Sequence, residues 1–143
     1  MSGPDILQHE EYVMRLISGR EYTRQQICVK LRRRGVSEND ALAIVDRLEN
    51  AGLIDDSRYA VLFASSRDEW GVARIRAELV RRGVPFEIAK SEVPLDEESD
   101  LHKALDLLEG WRDSATPEKI RGRLVRRGFS SGVVRRAMEQ SGL

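Results

Sequence analysis

Several kinds of residue and segment are scarce in this 143-residue chain, and each scarcity excludes a class of protein. A single cysteine, Cys28, excludes an internal disulfide framework. No apolar run approaches the roughly 18 residues of a membrane span, and no signal peptide opens the chain. We therefore expect a soluble, cytoplasmic protein without a membrane partner. Aromatic residues make up only 6%, whereas charged residues make up 34%, which favours small cores beneath a large solvated surface.

The residues that carry catalytic chemistry are few and scattered. Cys28, His9 and His102 lack the spacing of metal ligands, so we predict no metal site, a buried structural thiol at Cys28 and a solvent-facing His102. The glycines form no phosphate-binding loop, and no Ser–His–acid arrangement stands out. We therefore predict neither a cofactor nor enzymatic activity. The adjacent carboxylates Asp55 and Asp56 fit the start of a helix, and a metal-dependent nuclease is only a distant alternative.

A short string that occurs three times is the most distinctive feature of the chain. Each copy reads Leu-x-Arg-Arg-Gly followed by Val or Phe, at residues 31–36, 79–84 and 124–129. Successive glycines of the string are 48 and 45 residues apart, which is the self-similarity of a repeat protein. An isoleucine stands four residues before each leucine, and a residue suited to start a helix stands four before that. The three helix-starting residues are Thr23, Gly71 and Thr116.

The repeated string predicts the end of a helix, because glycine after the arginines suits a left-handed C-terminal residue. One amphipathic run follows each glycine, another apolar stripe precedes each copy, and nothing alternates with the period of a strand. The sequence thus predicts an all-α fold of three tandem three-helix repeats, stacked in an elongated array. We divide the chain into a loose N-terminal tail over residues 1–8 and repeats over residues 9–52, 53–94 and 95–143.

The formal net charge of zero hides an alternation of sign along the chain. The charge balances are +6 over residues 15–36, −5 over 37–69, +3 over 70–90, −6 over 91–113 and +5 over 114–143. The basic blocks coincide with the second helix of each repeat and with the arginines that end it. Acidic helices could neutralise these blocks internally, or the blocks could line one face that meets a long anionic partner. The regular spacing slightly favours the second interpretation, because stacked repeats place equivalent residues on one surface.

We therefore select as candidate contact residues the arginines of the repeated string and the basic residues of the helices that lead into them. For each, the alternative is a solvated helix C-terminus, where a cation complements the helix dipole. Trp70 and Trp111 do not occupy equivalent repeat positions, and each is either a hydrophobic plug, which we favour, or a base-stacking surface. The candidate contact residues are Arg33, Arg34, Arg81, Arg82, Arg126 and Arg127, with Arg24, Lys30, Arg74, Arg76, Arg121 and Arg123 as secondary candidates.

Residues 51–60, which read Ala-Gly-Leu-Ile-Asp-Asp-Ser-Arg-Tyr-Ala, resemble a signature of the RecX family, the regulators of the RecA recombinase. The similarity continues through Gly71 and the second arginine–glycine string to the third string and Ser130, and spans roughly residues 10–143. The chain has Val72 where the family usually has proline. The resemblance implies a curved rod of three-helix repeats without enzymatic activity. It also implies binding to the RecA–single-stranded-DNA filament, with inhibition of the ATPase, strand-exchange and co-protease activities of RecA in DNA repair and the SOS response.

The alternative function is a sequence-independent nucleic-acid-binding module that acts without a recombinase partner, since three-helix units can resemble helix-turn-helix domains. Zero net charge, and the lack of a helix carrying an Asn/Gln/Arg cluster, argue against specific base readout. Weak, sequence-independent DNA binding through the arginines is compatible with either function. We expect a monomer.

Overall fold

A computed structural model describes the backbone of residues 3–143, and the side chains from residue 5 onward. Over these residues the chain forms nine α-helices and no strand. The helices are α1 (Gly3–Gly19), α2 (Arg24–Arg33), α3 (Glu38–Asn50), α4 (Asp56–Ser65), α5 (Val72–Arg81), α6 (Phe86–Glu92), α7 (Glu97–Trp111), α8 (Pro117–Arg126) and α9 (Ser131–Gln140). None of them is both long and apolar enough to cross a bilayer.

The helices group into three consecutive triplets, which we call the first unit (α1–α3), the second unit (α4–α6) and the third unit (α7–α9). Every extensively packed pair of helices lies within one unit, and each unit encloses its own cluster of buried apolar side chains. These observations confirm the predicted all-α fold of tandem three-helix repeats. The isoleucine and leucine of the repeated pattern are fully or almost fully buried in each cluster: Ile27 and Leu31, Ile75 and Leu79, Ile120 and Leu124.

Short-range hydrogen bonds fix the helix ends that the sequence predicts. The Thr23 hydroxyl accepts a hydrogen bond from the Gln26 backbone N–H, while the Gln26 side chain accepts one from the Thr23 N–H, which is a capping box. Asp55 caps α4 by accepting from the Arg58 N–H. The glycines that follow α2, α5 and α8 adopt left-handed backbone angles, with φ of 90° at Gly35, 102° at Gly83 and 92° at Gly128.

The structure differs from the predicted boundaries at two places. Residues 3–8 are helical rather than a loose tail, because proline is tolerated in a first helical turn and Ile6 packs against the first core. Residues 1 and 2 of that tail lie outside the described residues. Ile54, which the predicted boundary assigns to the second repeat, is 1% exposed and is buried in the first core. The first unit therefore extends to Ile54, because burial of this apolar side chain packs the linker against the first core.

Candidate functional site

The second helices of the three units meet end to end. Where the first unit meets the second, the Thr23 hydroxyl at the start of α2 donates to the Arg82 carbonyl oxygen just after α5, at 2.7 Å. Where the second meets the third, the Gly71 N–H at the start of α5 donates to the Arg127 carbonyl oxygen just after α8, at 2.8 Å. We call these contacts the first and second junctions. They place two of the three arginine–glycine strings at equivalent positions between neighbouring units.

A buried aspartate of the following unit completes each junction. Asp56 accepts a hydrogen bond from the Arg24 backbone N–H at 2.9 Å, and Asp100 accepts one from the Val72 N–H at 3.0 Å. Burial raises the pKa of both carboxyl groups, and the backbone hydrogen bonds oppose this shift. Both members of the adjacent pair thus have structural positions, because Asp55 caps α4 and Asp56 caps α2 of the preceding unit.

Two of the repeated glycines also allow the units to approach closely. A Cβ atom on Gly128 would lie 2.4 Å from the Arg74 Cβ and 2.6 Å from its backbone nitrogen. A Cβ atom on Gly83 would lie 2.4 Å from the Gln25 Cβ. At Gly35, by contrast, an added Cβ would meet nothing within 4 Å. Helix termination alone therefore explains Gly35, whereas Gly83 and Gly128 are also required by the junctions.

A groove of about 530 Å³ opens at the first junction, and we call it the first groove. The Arg20 guanidinium lies 4.4 Å from the centroid of the Tyr22 ring, and the Lys30 ammonium lies 5.7 Å from it. Cations at these distances from an aromatic face are attracted by its quadrupole. The groove is lined by Arg20, Tyr22, Gln25, Gln26, Val29, Lys30, Arg33, Arg81 and Arg82.

Glu78 partly neutralises the arginines at the first groove. Its carboxylate accepts hydrogen bonds from Arg81 at 2.7 Å and from Arg82 at 2.9 Å. The hydrogen bond from Arg81, supported by Arg82, lowers the pKa of Glu78 to about 2 against the opposing effect of burial. Arg82 also donates to the Tyr59 hydroxyl and stacks 4.5 Å from the Phe63 ring centroid. Arg82 is thus fixed within the second unit and has less freedom to meet a partner than Arg81.

A second groove, of about 450 Å³, lies at the second junction and is lined only by tryptophan and arginine. The Arg74 guanidinium lies 4.2 Å from the Trp70 ring centroid. Those of Arg123 and Arg127 lie 5.3 and 5.1 Å from the Trp111 ring centroid. Across the described residues, no ion pair joins an arginine of this groove to a carboxylate. The lining residues are Trp70, Arg74, Trp111, Arg123, Arg126 and Arg127.

The two grooves are related by the sequence repeat. Trp70 stands where Tyr22 stands in the first unit, one residue before the N-cap of the second helix. Arg123 stands where Glu78 stands, five residues before the glycine that follows the helix. The acid that neutralises the arginines at the first groove is therefore replaced at the second by another arginine.

Comparison with known proteins places this chain among relatives of similar length. A family model described as RecX, first three-helix domain, matches residues 11–48. The regulatory protein RecX of Chlorobium phaeobacteroides is 32% identical over 98% of this chain and 97% of its own length. The chain belongs to the RecX family. A second RecX regulatory protein, from Thermus thermophilus, is 34% identical over 85% of this chain and 84% of its own.

Solved structures of RecX proteins share the fold of this RecX-family chain. The crystal structure of RecX from Lactobacillus salivarius matches with a TM-score of 0.87 and 21% identity, over 97% of both chains. A second structure, of a regulatory protein RecX, matches with a TM-score of 0.82 and 21% identity, over 94% of this chain and 73% of the other. The names of the relatives identify the chain as a RecX-type regulator.

The structure divides the candidate residues of this RecX-family chain into those that line a groove and those that do not. The groove-lining candidates are Lys30, Arg33, Arg81 and Arg82 in the first groove, and Arg74, Arg123, Arg126 and Arg127 in the second.

The remaining candidates have other surroundings. Arg24 forms salt bridges with two acids of α3, and Arg76 donates to two backbone carbonyls at the end of α6. Arg34 lies 4.0 Å from the ring centroid of Tyr12 in α1. Arg121 is exposed and faces a separate groove within the third unit. The structure thus explains Arg24 and Arg76 by packing within a unit.

Sequence reasoning missed Arg20 and Tyr22, and it favoured hydrophobic plugs at the two tryptophans. Trp70 does pack against Phe63, with ring centroids 6.0 Å apart, and Trp111 packs against the third core. Both rings are nevertheless only partly buried and line the second groove. Tyr22 and Trp70 occupy equivalent repeat positions, and this equivalence would have indicated an aromatic residue beside each groove.

Cys28 and His102 were the other single residues with predicted surroundings. Cys28 is only partly buried, because it lies toward an apolar groove between α2 and α3 rather than in the centre of the core. Burial nevertheless raises the pKa of the thiol, which keeps it protonated and poorly nucleophilic. The His102 side chain is 80% exposed, as predicted.

Proposed function

We propose that this RecX-family regulator binds the filament that the RecA recombinase forms on single-stranded DNA. Binding would inhibit the ATPase, strand-exchange and co-protease activities of RecA, and so act on DNA repair and the SOS response. The observation that carries the proposal is the similarity to the Chlorobium regulatory protein RecX over 98% of this chain. We further propose that the regulator acts as a cytoplasmic monomer.

The arrangement of the grooves supports a long, periodic, anionic partner. Each groove lies at a junction, and the two junctions are related by the sequence repeat. A partner with anionic groups at regular intervals could therefore meet both grooves in the same way. Arginine suits this role, because its planar fork pairs with carboxylates and phosphates alike. We propose that the groove-lining candidates, led by Arg33 and Arg126, contact the filament.

The direct test is an assay of RecA ATPase on single-stranded DNA at increasing amounts of this protein. Inhibition at well below one copy per RecA subunit is expected if the protein acts on the filament as a polymer. The absence of any inhibition, even with the protein in excess over RecA, would contradict the proposal.

A matched pair of variants tests which basic residues contact the filament. Arg33 and Arg126 are exposed and form no ion pair within the described part of the chain, so their replacement should leave the fold intact. Arg33→Ala/Arg126→Ala should raise the concentration for half-inhibition about tenfold, on the scale of two contacts of roughly 0.7 kcal/mol each. Arg121→Ala/Arg135→Ala, which removes two exposed arginines outside both grooves, is the control and should inhibit normally. Equal effects in the two variants would remove the grooves from the contact surface.

A nucleic-acid-binding module that acts without a recombinase is the second candidate function. The two tryptophan rings of the second groove favour it, because exposed aromatic rings are stacking platforms for bases. Tight, sequence-specific DNA binding together with no effect on RecA would select this alternative.

A further inference from the structure

We propose that the second groove is a binding site for an unpaired strand of nucleic acid. The bases stack against Trp70, Trp111 and the guanidinium planes that lie over these rings, and the phosphates pair with the N–H groups of the surrounding arginines. The inference rests on the proposed function and deepens it, because it assigns one part of the regulator to the DNA strand itself rather than to the recombinase subunits.

The charge of the second groove points to an anionic ligand. Four guanidinium groups line this small space, and no carboxylate forms an ion pair with any of them across residues 5–143. Like charges at short range repel one another, and Glu78 shows at the first groove how the fold relieves such repulsion. Arg123 occupies the position equivalent to Glu78 and adds charge instead of removing it. The contact that the fold gives this cation is the Trp111 ring, 5.3 Å away, and an anionic ligand would supply the counter-charge that no ion pair provides.

The two rings point to a ligand that has flat faces. Each ring is held from behind by its own unit, Trp70 by Phe63 and Trp111 by the third core. Arg74 of the groove and Arg67 beside it lie over Trp70, and two groove guanidiniums lie over Trp111. Bases stack both on aromatic rings and on guanidinium planes. A volume of about 450 Å³ is within the range of roughly 300–1,000 Å³ that small-ligand sites occupy.

Anchoring contacts hold the groove in shape before a ligand arrives. The Lys103 ammonium donates to the Trp70 carbonyl oxygen at 3.2 Å, and the Arg74 guanidinium donates to the Arg126 carbonyl oxygen at 3.2 Å. Both bonds cross the second junction. Gly122 leaves room for the Arg126 side chain, because a Cβ there would lie 3.1 Å from its Nη1. A prearranged site of this kind loses little entropy on binding.

An unpaired strand fits these features better than an acidic peptide or a duplex. An acidic peptide would use the arginines, but it would not use the partly exposed faces of the two indole rings. A duplex offers phosphates but keeps the faces of its bases stacked inside. A single strand offers phosphates and base faces together.

The test uses the complete protein without recombinase. Trp70 and Trp111 are the only tryptophans in the chain, so tryptophan fluorescence, excited where tyrosine does not absorb, reports on this groove. A thymidine oligonucleotide of about 15 nucleotides should quench the fluorescence in a saturable way. An abasic oligonucleotide of equal length, which keeps the phosphates, should bind at least about fivefold more weakly and quench little. Comparable quenching by the abasic strand would overturn the role of the bases.

Two variants and a control separate the phosphate contacts from the stacking. Arg126→Ala should weaken binding at least fivefold and reduce the slope of log affinity against log salt by about 0.7. Arg121→Ala, which removes an equal charge from the same helix outside the groove, should bind within about twofold of the parent. Trp111→Leu should weaken binding at least fivefold, and Trp111→Phe, which keeps a smaller ring in the core, should restore part of the loss. Equal weakening by the two arginine variants would overturn the proposal, because binding would then follow overall charge.

A competition experiment addresses the protein alternative. Polyglutamate of similar length should displace the oligonucleotide only weakly, and displacement at equal concentration would overturn the proposal in favour of an acidic protein surface. The strand site and the recombinase function can be contradicted separately. Inhibition of RecA without oligonucleotide binding would remove only the strand site, whereas oligonucleotide binding without any effect on RecA would remove only the recombinase function.

Discussion

The first and second junctions share one design but differ in the residues around it. At the first junction, a threonine hydroxyl donates to the carbonyl that follows the second helix of the next unit. At the second junction, a backbone N–H donates to the equivalent carbonyl. Gly71 occupies the position of Thr23, and no side chain fits there, because a Cβ on Gly71 would lie only 2.5 Å from the Gly128 oxygen. Glu78 neutralises the arginines of the first groove, and Arg123 replaces it at the second. Both junctions thus share a buried aspartate and a hydrogen bond to the carbonyl beside the repeated glycine, while the charge next to them differs.

Substitution of a repeated glycine at a junction should give the largest loss of stability. Gly128→Ala should lower the free energy of unfolding by about 3 kcal/mol or more, because backbone strain adds to overlap with Arg74. Gly35→Ala should cost only about 1–2 kcal/mol, since it adds the same strain in open space. Urea denaturation followed by circular dichroism measures both changes. Equal losses would show that the glycines only end helices and that close approach contributes nothing.

The buried aspartates should show the next largest effect, and should show it equally at both junctions. Asp56→Ala and Asp100→Ala each leave a backbone N–H of the preceding unit without its acceptor, which should cost about 1–2 kcal/mol. Asn at either position keeps an oxygen acceptor and removes a charge that burial disfavours, so Asp100→Asn should cost less than about 0.5 kcal/mol at pH 7. Urea midpoints at pH 7 check these values. Losses from Asn as large as those from Ala would mean that the charge itself holds the junction.

Glu78 should give the smallest effect, and the one that separates the grooves most clearly. Its pKa lies at about 2 instead of the ordinary 4.5, so its contribution to stability is present above 4.5 and is lost as the pH falls toward 2. Asp56 and Asp100, whose pKa values are raised, act in the opposite sense, because acidification relieves the cost of their buried charge. Between pH 7 and pH 3, the Glu78→Gln variant should therefore lose about 1 kcal/mol less of its free energy of unfolding than the parent does. Unfolding free energies at pH 7, 4.5 and 3 test this expectation. An equal loss of stability on acidification in the variant and the parent would contradict it.

Local signals made most of the fold predictable from the sequence. The capping box at Thr23, the carboxylate cap at Asp55 and the glycines after each arginine pair act within a few residues, so they can be read without knowing the tertiary structure. The burial of Ile27 and Leu31 follows from their helical spacing. Ile6 and Ile54 were assigned differently because their positions depend on packing against the first core rather than on neighbouring residues.

The grooves were predictable only in part, for the same physical reason. The charge alternation indicated the arginines, but it could not show that Thr23 and Arg82, 59 residues apart, would meet. That contact decides which arginines surround a common space and which, like Arg24, pair with acids of their own unit. Trp70 and Trp111 share a groove only because the units join end to end. No pattern within either repeat contains this information.

Hydrogen exchange at the Gly71 amide reports directly on the opening of the second junction. Because its hydrogen is bonded to the Arg127 oxygen of the next unit, its exchange for deuterium follows the separation of the two units rather than the fraying of a helix. The Thr23 amide is bonded inside its own capping box, so its exchange does not report on the first junction. A single resolved exchange rate would thus report how often the units separate beside the tryptophans, and its change on adding an oligonucleotide would test whether a bound strand holds them together.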